Sequence, residues 1–139
     1  MPIKPDDVAL NKVAIIERCI KRIHEEYQAD PDLCDYTHID ALTLNIERAC
    51  QACIDLAMHI VAVRHLGIPQ SSGDAFVLLQ KANLIPAEIA QAMRAVTGFR
   101  NIAVHQYQEM DLNILRYIAA DGWKDLRQYC ADLGFRIDG

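Results

Sequence analysis

The sequence predicts an all-α fold, an antiparallel bundle of about five helices. Three observations carry this expectation. Apolar residues recur at intervals of three and four along most of the chain. Gly, Pro and capping residues cut that pattern into five stretches, and none of them sustains the two-residue alternation of a half-buried strand. Composition agrees, with 52% apolar residues but only 6% aromatic ones, and with Ala, Leu and Ile plentiful, a balance that favours packed helices over sheets. The length of 139 residues suits one domain covering 1–139. Such a domain buries roughly two thirds of its extended surface and needs neither metal nor disulfide to fold.

The first helix is expected to open at Asp6 or Asp7, either able to cap it, and to run to about Gln28. Ile16, Ile20, Ile23 and Tyr27 form its apolar stripe, and Lys12, Arg18, Lys21 and Glu25 fall mostly off it. Asp30-Pro31-Asp32 stops it. The second helix runs from Thr37 or Asp40 to Leu66, with Gly67 as its stop and Pro69 beyond. Its core face is Ile39, Leu42, Ile46, Cys50, Cys53, Ala57 and Ile60, widened by Leu56 and Val63, which places this helix at the centre of the bundle. Ser71-Ser72-Gly73-Asp74 offers caps for a short third helix, Ala75 to about Asn83. Pro86 suits the first turn of a fourth, whose stripe of Ile89, Met93, Val96 and Phe99 leads to Arg100. Part of that stripe is available to a dimer interface. The chain then loosens from Gln106 to Met110, and Asp111 caps a last helix that ends at Leu133 and Gly134. Gly122 inside that helix costs roughly 1 kcal/mol relative to alanine.

The net charge is −5, which counts against a free monomer that grips long nucleic acid, because phosphate contacts need clustered Lys and Arg. A local basic cleft is still compatible with it. Five cysteines, an odd number, and a start that lacks an apolar leader segment lead to the expectation of a reducing cytoplasm. The most apolar stretch, Leu56 to Val63, contains His59 and is bracketed by Asp55 and Arg64, so no membrane span is expected.

One stretch concentrates chemistry: Arg100, Asn101, His105 and Tyr107 place a permanent cation, an amide, an imidazole and a phenol within eight residues. Asn101 and His105 are four apart and share a helix face. Arg100 and His105 diverge by roughly 140° on a straight helix. They can act together if the arginine reaches round, if the helix ends before His105, or if two copies meet across a twofold axis, the commonest oligomer symmetry. The set suits RNA cleavage without metal. Histidine exchanges protons near neutrality, and arginine meets the charge that builds on phosphoryl oxygens. An ion pair for Arg100, a helix-end role for His105 and a core-covering ring for Tyr107 account for the same residues without catalysis.

The string Arg100-Asn101 … His105-x-Tyr107 resembles the R-x4-H-x-Y signature of the HEPN superfamily, and more narrowly its HepT branch. Leu66-Gly67-Ile68-Pro69-Gln70-Ser71-Ser72-Gly73-Asp74-Ala75-Phe76 is similar to the branch's segment between the second and third helices, and Asn45, Cys53, Asp55 and His59 sit in a second helix that also looks familial. With the helix order, the resemblance covers nearly the whole chain. It implies a HEPN-like helical bundle that forms homodimers with the motif lining an interfacial cleft. It also implies a metal-independent RNase toxin with no cofactor. Its implied partners are the RNA substrate and a cognate MntA-like nucleotidyltransferase antitoxin, which transfers AMP to the motif tyrosine and assembles with the toxin in higher hetero-oligomers. Carried over by position, Arg100 and His105 are catalytic, Asn101 supports them, and Tyr107 is the acceptor. Gly73 departs from the pattern, which often has a basic residue there.

Other features have plainer readings. Cys50-x-x-Cys53 is a single pair where a zinc site typically takes two, so core packing is expected. His59 and His65 flank Arg64 as helix-end cations or as a basic rim for RNA, and His24 and His38 are expected at the surface. Asp55, on a core helix, is expected to need a structural partner, Arg100 being the functional alternative. Two classes of function follow: an RNase toxin, or a non-catalytic subunit that docks on a nucleotidyltransferase and is modified by it.

Overall fold

The computed structural model describes residues 5–105 and 112–137, with the side chains of 5–98 and 112–137. The described residues form helices α1 (Asp7–Ala29), α2 (Tyr36–Val63), α3 (Ser72–Lys81), α4 (Ala87–His105), α5 (Leu112–Tyr117) and α6 (Trp123–Asp132). A π-helical turn, Ile118–Gly122, joins α5 directly to α6. The last two helices are therefore one bent rod, and the five expected helical stretches are the five observed. The described residues contain no strand.

The caps explain where the helices begin. Asp6 precedes α1 in extended conformation and its carboxylate accepts from the Ala9 N–H at 2.8 Å. Asp35 does the same for α2 through the Thr37 N–H at 2.9 Å. Asp30 braces the turn between these helices by accepting from the N–H groups of Cys34 and Asp35 at 3.1 and 2.8 Å. Ser71 caps α3, which therefore starts at Ser72 rather than at Ala75.

Three helices end alike. His65 (φ 54°), Asn83 (φ 61°) and Gly134 (φ 97°) each take the left-handed position just past the end. The next residue's N–H then reaches back five residues, as in Leu66 to Val61, Leu84 to Leu79 and Phe135 to Cys130, at 3.0, 3.0 and 2.8 Å. The first of these corrects the expected stop. His65, not Gly67, reverses the chain, and α2 ends at Val63 rather than at Leu66. Val63 does not widen the core face. It is 56% exposed.

Helix α2 is the centre, packed against α1, α3 and α4. Leu42, Ile46, Cys50, Cys53, Leu56, Ala57 and Ile60 are buried as expected, and Ala49, Ala52, Ile54 and Val61 extend burial most of the way round. Ile16, Ile20 and Ile23 of α1 meet it, each fully buried and each contributing about 1.5–3 kcal/mol on removal from water. Tyr129 of α6 closes the core. Its hydroxyl donates to the Cys53 carbonyl at 3.0 Å and its ring meets Phe76 edge-on at 5.5 Å. At the π-helical turn a Cβ on Gly122 would lie 3.3 Å from the Tyr117 ring, so only glycine fits there without displacing that ring.

Candidate active site

Helix α4 presents the chemistry. Ile89, Ala90, Met93, Val96 and Thr97 are buried against the bundle, while Arg94 and Ala95 are exposed. The Thr97 hydroxyl donates to the Met93 carbonyl at 2.7 Å. The helix continues through Arg100 and Asn101 to His105. Of the three ways to unite Arg100 with His105, an earlier helix end is therefore removed. A reach round the helix and a shared cleft between two copies are left. Phe99, Arg100, Asn101 and His105 keep backbone positions on α4, but their side chains lie outside the described residues, as does all of Tyr107.

Two recesses flank the exposed side of α4. One, of about 680 Å³, lies between the first turn of α3 (Ser71 to Gly73) and Gln91, Arg94, Thr97 and Gly98 of α4. The other is a notch of about 140 Å³ between α4 and the last rod, lined largely by Ala92, Ala95, Val96, Ile114 and Ile118. Gly73, the departure from the resemblance, sits beside Arg94. A Cβ at position 73 would be 3.5 Å from the Arg94 Nε.

The remaining candidates resolve into structure. Cys50 and Cys53 are fully buried, and the Cys50 thiol donates to the Val96 carbonyl at 3.6 Å. Burial pushes the Cys53 thiol well up and the Cys130 thiol to about 12. Neither presents a thiolate for redox or metal chemistry near neutrality. Among the described residues, no group of three or more His, Cys, Asp and Glu is placed to hold a metal ion.

Asp55 has the structural partners expected of it, but not the burial. It is half-exposed rather than buried, pairing with Lys12 at 3.5 Å and accepting from the Gln51 amide at 2.8 Å. Its face of α2 looks along α1 and not into the core. His59 bonds Asp6 at 2.7 Å and so ties α2 to the cap of α1, a role the sequence reading did not foresee. His24 is not a plain surface residue either. Trp123 meets its ring edge-on at 4.4 Å, and the resulting loss of solvent lowers its pKa. His38 hydrogen-bonds Glu26, which raises the histidine's pKa and lowers the carboxylate's, and Arg22 pairs with the same Glu26.

Arg94 and Gly98 were not singled out from sequence, although a signal was present. Arg94, Gly98, Asn101 and His105 are spaced by four, three and four residues, which puts all four positions within about 60° of one another on a helix.

Comparison with known proteins bears on this helix and on the whole chain. The chain is 43% identical over 125 residues to the mRNA nuclease HepT of Shewanella oneidensis, covering 89% of this chain and 94% of that protein. A crystal structure of a toxin–antitoxin with AMP-PNP superposes with a TM-score of 0.87 at 41% identity, over 92% of this chain and 98% of that one. A structure of the tri-AMPylated Shewanella oneidensis HEPN toxin in complex with its MNT antitoxin gives 0.87 at 42% identity, over 93% and 98%. The family model described as ribonuclease HepT-like matches residues 13–133, so with its helical order, its continuous α4 and its near-complete alignment the chain belongs to the ribonuclease HepT-like family.

Proposed function

We propose that this chain is the toxin of a bacterial toxin–antitoxin pair, a metal-independent endoribonuclease that acts as a homodimer and is silenced by AMPylation. The observation that supports it most is the 43% identity to an mRNA nuclease across nearly the full length, in a chain that keeps Arg100, Asn101, His105 and Tyr107 in the R-x4-H-x-Y order.

His105 takes the proton from a ribose 2′-hydroxyl, and the freed oxygen attacks the adjacent phosphorus. The bond to the 5′-oxygen of the next nucleotide breaks, that oxygen accepts a proton, and a 2′,3′-cyclic phosphate is left. Arg100 meets the charge on the phosphoryl oxygens with two parallel donors, and Asn101 orients the phosphate or the imidazole. DNA resists because it lacks the attacking hydroxyl. The 140° between Arg100 and His105 on one helix favours a cleft shared by two copies. Tyr117, exposed where it lines the apolar notch along α4, supplies surface for that contact.

The partner is an MntA-like nucleotidyltransferase. It transfers AMP from ATP to the Tyr107 hydroxyl and releases pyrophosphate. Bulk and negative charge then sit two residues from His105, where RNA phosphate must enter. No helix among the described residues is long and apolar enough to cross a membrane, in keeping with action on RNA in the cytoplasm.

The deciding experiment incubates the unmodified protein and a His105→Ala variant with total RNA in excess EDTA. Cleavage by the first alone, with cyclic phosphate ends, is expected. Absence of cleavage by both, with Tyr107 shown unmodified by mass spectrometry, would instead favour a non-catalytic subunit modified by the transferase, a reading that the acidic net charge also suits. A Tyr107→Phe variant is expected to stay toxic beside active antitoxin.

A further inference from the structure

The recess between α3 and α4 is unusual for an acidic chain. Among its described lining residues there is no carboxylate and one cation, Arg94. Asp74, next along α3, turns one carboxylate oxygen to the Gln70 N–H at 2.9 Å and does not line it. Arg94 is exposed and has no ion pair or hydrogen bond to its guanidinium among the described residues. An arginine held for folding is ordinarily paired, and among the described residues this one is not. A planar fork of donors suits a phosphate.

Gly98 adds an independent observation. Glycine weakens a helix interior relative to alanine, yet a Cβ there would meet no described atom within 4 Å. The packing of the described residues does not require glycine at this position. A backbone that must approach the helix closely does. Gly73 on the opposite wall likewise leaves the space beside the Arg94 side chain open.

Position then decides the role. Arg94, Gly98, Asn101 and His105 share one stripe of α4, and Arg94 lies about 16 Å along the axis from His105 at 1.5 Å per residue. The anion that Arg94 takes is therefore distinct from the phosphate that the same protomer's His105 acts on. We propose that this stripe and the recess beside it form a track for the RNA strand flanking the cut, in which Arg94 holds a neighbouring phosphate and Gly98 lets the sugar–phosphate backbone lie against the helix. Arg94 is a positioning residue. The track rests on the ribonuclease reading and extends it to a substrate longer than a dinucleotide, with affinity drawn from outside the reacting bond.

The test uses the full-length His105→Ala protein as an uncut trap for a short fluorescein-labelled single-stranded RNA, read by fluorescence anisotropy across a salt series. Adding Arg94→Gln is expected to weaken binding by about five- to tenfold and to reduce the slope of log affinity against log salt by about 0.7, the loss of one phosphate contact on a single strand. Gly73→Glu, which sets a carboxylate beside Arg94, is expected to weaken binding similarly. Gly98→Ala is expected to weaken binding while raising the melting temperature. In the active protein, Arg94→Gln should raise KM for the short RNA, with kcat unchanged and dinucleotide cleavage unaffected. Unchanged affinity and salt slope in the Arg94→Gln variant overturn the track, as does failure of the trap to bind RNA. Cleavage by the active protein with no Arg94 effect keeps the ribonuclease and removes the track. An Arg94-dependent affinity in a protein that cuts nothing removes the ribonuclease and, with it, the track as a flanking-strand site, and leaves an RNA-binding groove.

Discussion

Cys50 and Cys53 on α2 and Arg100 and His105 on α4 are both close-spaced pairs of reactive side chains on long helices. The bundle treats the two helices differently. α2 has neighbours on nearly every side, so its thiols are wholly buried and Cys53 is pushed well away from ionisation. Among its described side chains, α4 packs through Ile89, Ala90, Met93, Val96 and Thr97, and leaves Arg94 and Ala95 facing a recess. Spacing proposes chemistry, and the number of neighbours around a helix decides whether solvent and substrate reach it.

Substitutions on the two helices should separate activity from stability. The largest effect is expected from His105→Ala, a fall of about 10²–10⁴-fold in the rate of RNA cleavage, with a urea midpoint within error of the parent. Equal loss of stability and activity would place His105 in the core instead. Next, Cys53→Ser should cost about 1–3 kcal/mol in urea unfolding, because a hydroxyl enters a fully buried site, while cleavage per folded molecule stays unchanged. A selective loss of activity in that variant would give the α2 thiols a functional role.

Smaller effects probe how α2 is anchored. Asp35→Ala removes the cap that holds the Thr37 N–H and should cost about 1 kcal/mol, also by urea titration. The smallest effect depends on pH. Glu26 raises the pKa of His38 above 6.5, so this pair's stabilisation is full below the unfolded histidine value and is lost as pH rises through the raised one. Glu26 is itself lowered from 4.5, so its share is lost as pH falls through that lowered value. Between those limits the parent should melt above a His38→Gln variant, and the gap should close at alkaline pH. A gap that widens with pH would reverse the assignment.

Much of the fold was legible because each helix announces itself locally. Asp6 and Ser71 are side chains that cap wherever a helix starts, although Asp35, which caps α2 ahead of the expected Thr37 or Asp40, was not read as one, and the Ile16–Ile20–Ile23 and Ile89–Met93–Val96 stripes name their buried faces without reference to a partner. The ends were less legible. His65 and Asn83 took left-handed positions that sequence reasoning reserves for glycine, because the hydrogen bonds back to Val61 and Leu79 outweigh a modest local strain. Of the candidate site, the order of Arg100, Asn101, His105 and Tyr107 was readable, and so in principle was the register that aligns Arg94 and Gly98 with it. That register had no meaning until a recess was seen beside it.

The sequence by itself determined an all-helical chain, the place of each helix, the residues that face inward and the cluster that suits phosphate chemistry, since all of these follow from periods, caps and side-chain types close together in the chain. Only the tertiary structure decided that Asp55 meets Lys12 rather than the core, that His59 ties two helices through Asp6, and that His24 packs on Trp123. It also decided that Arg94 stands in a recess with no carboxylate among its described lining residues. These are relations between residues far apart in sequence or on separate helices. Helical period sets the face on which a residue lies, but what that face meets depends on how the helices pack.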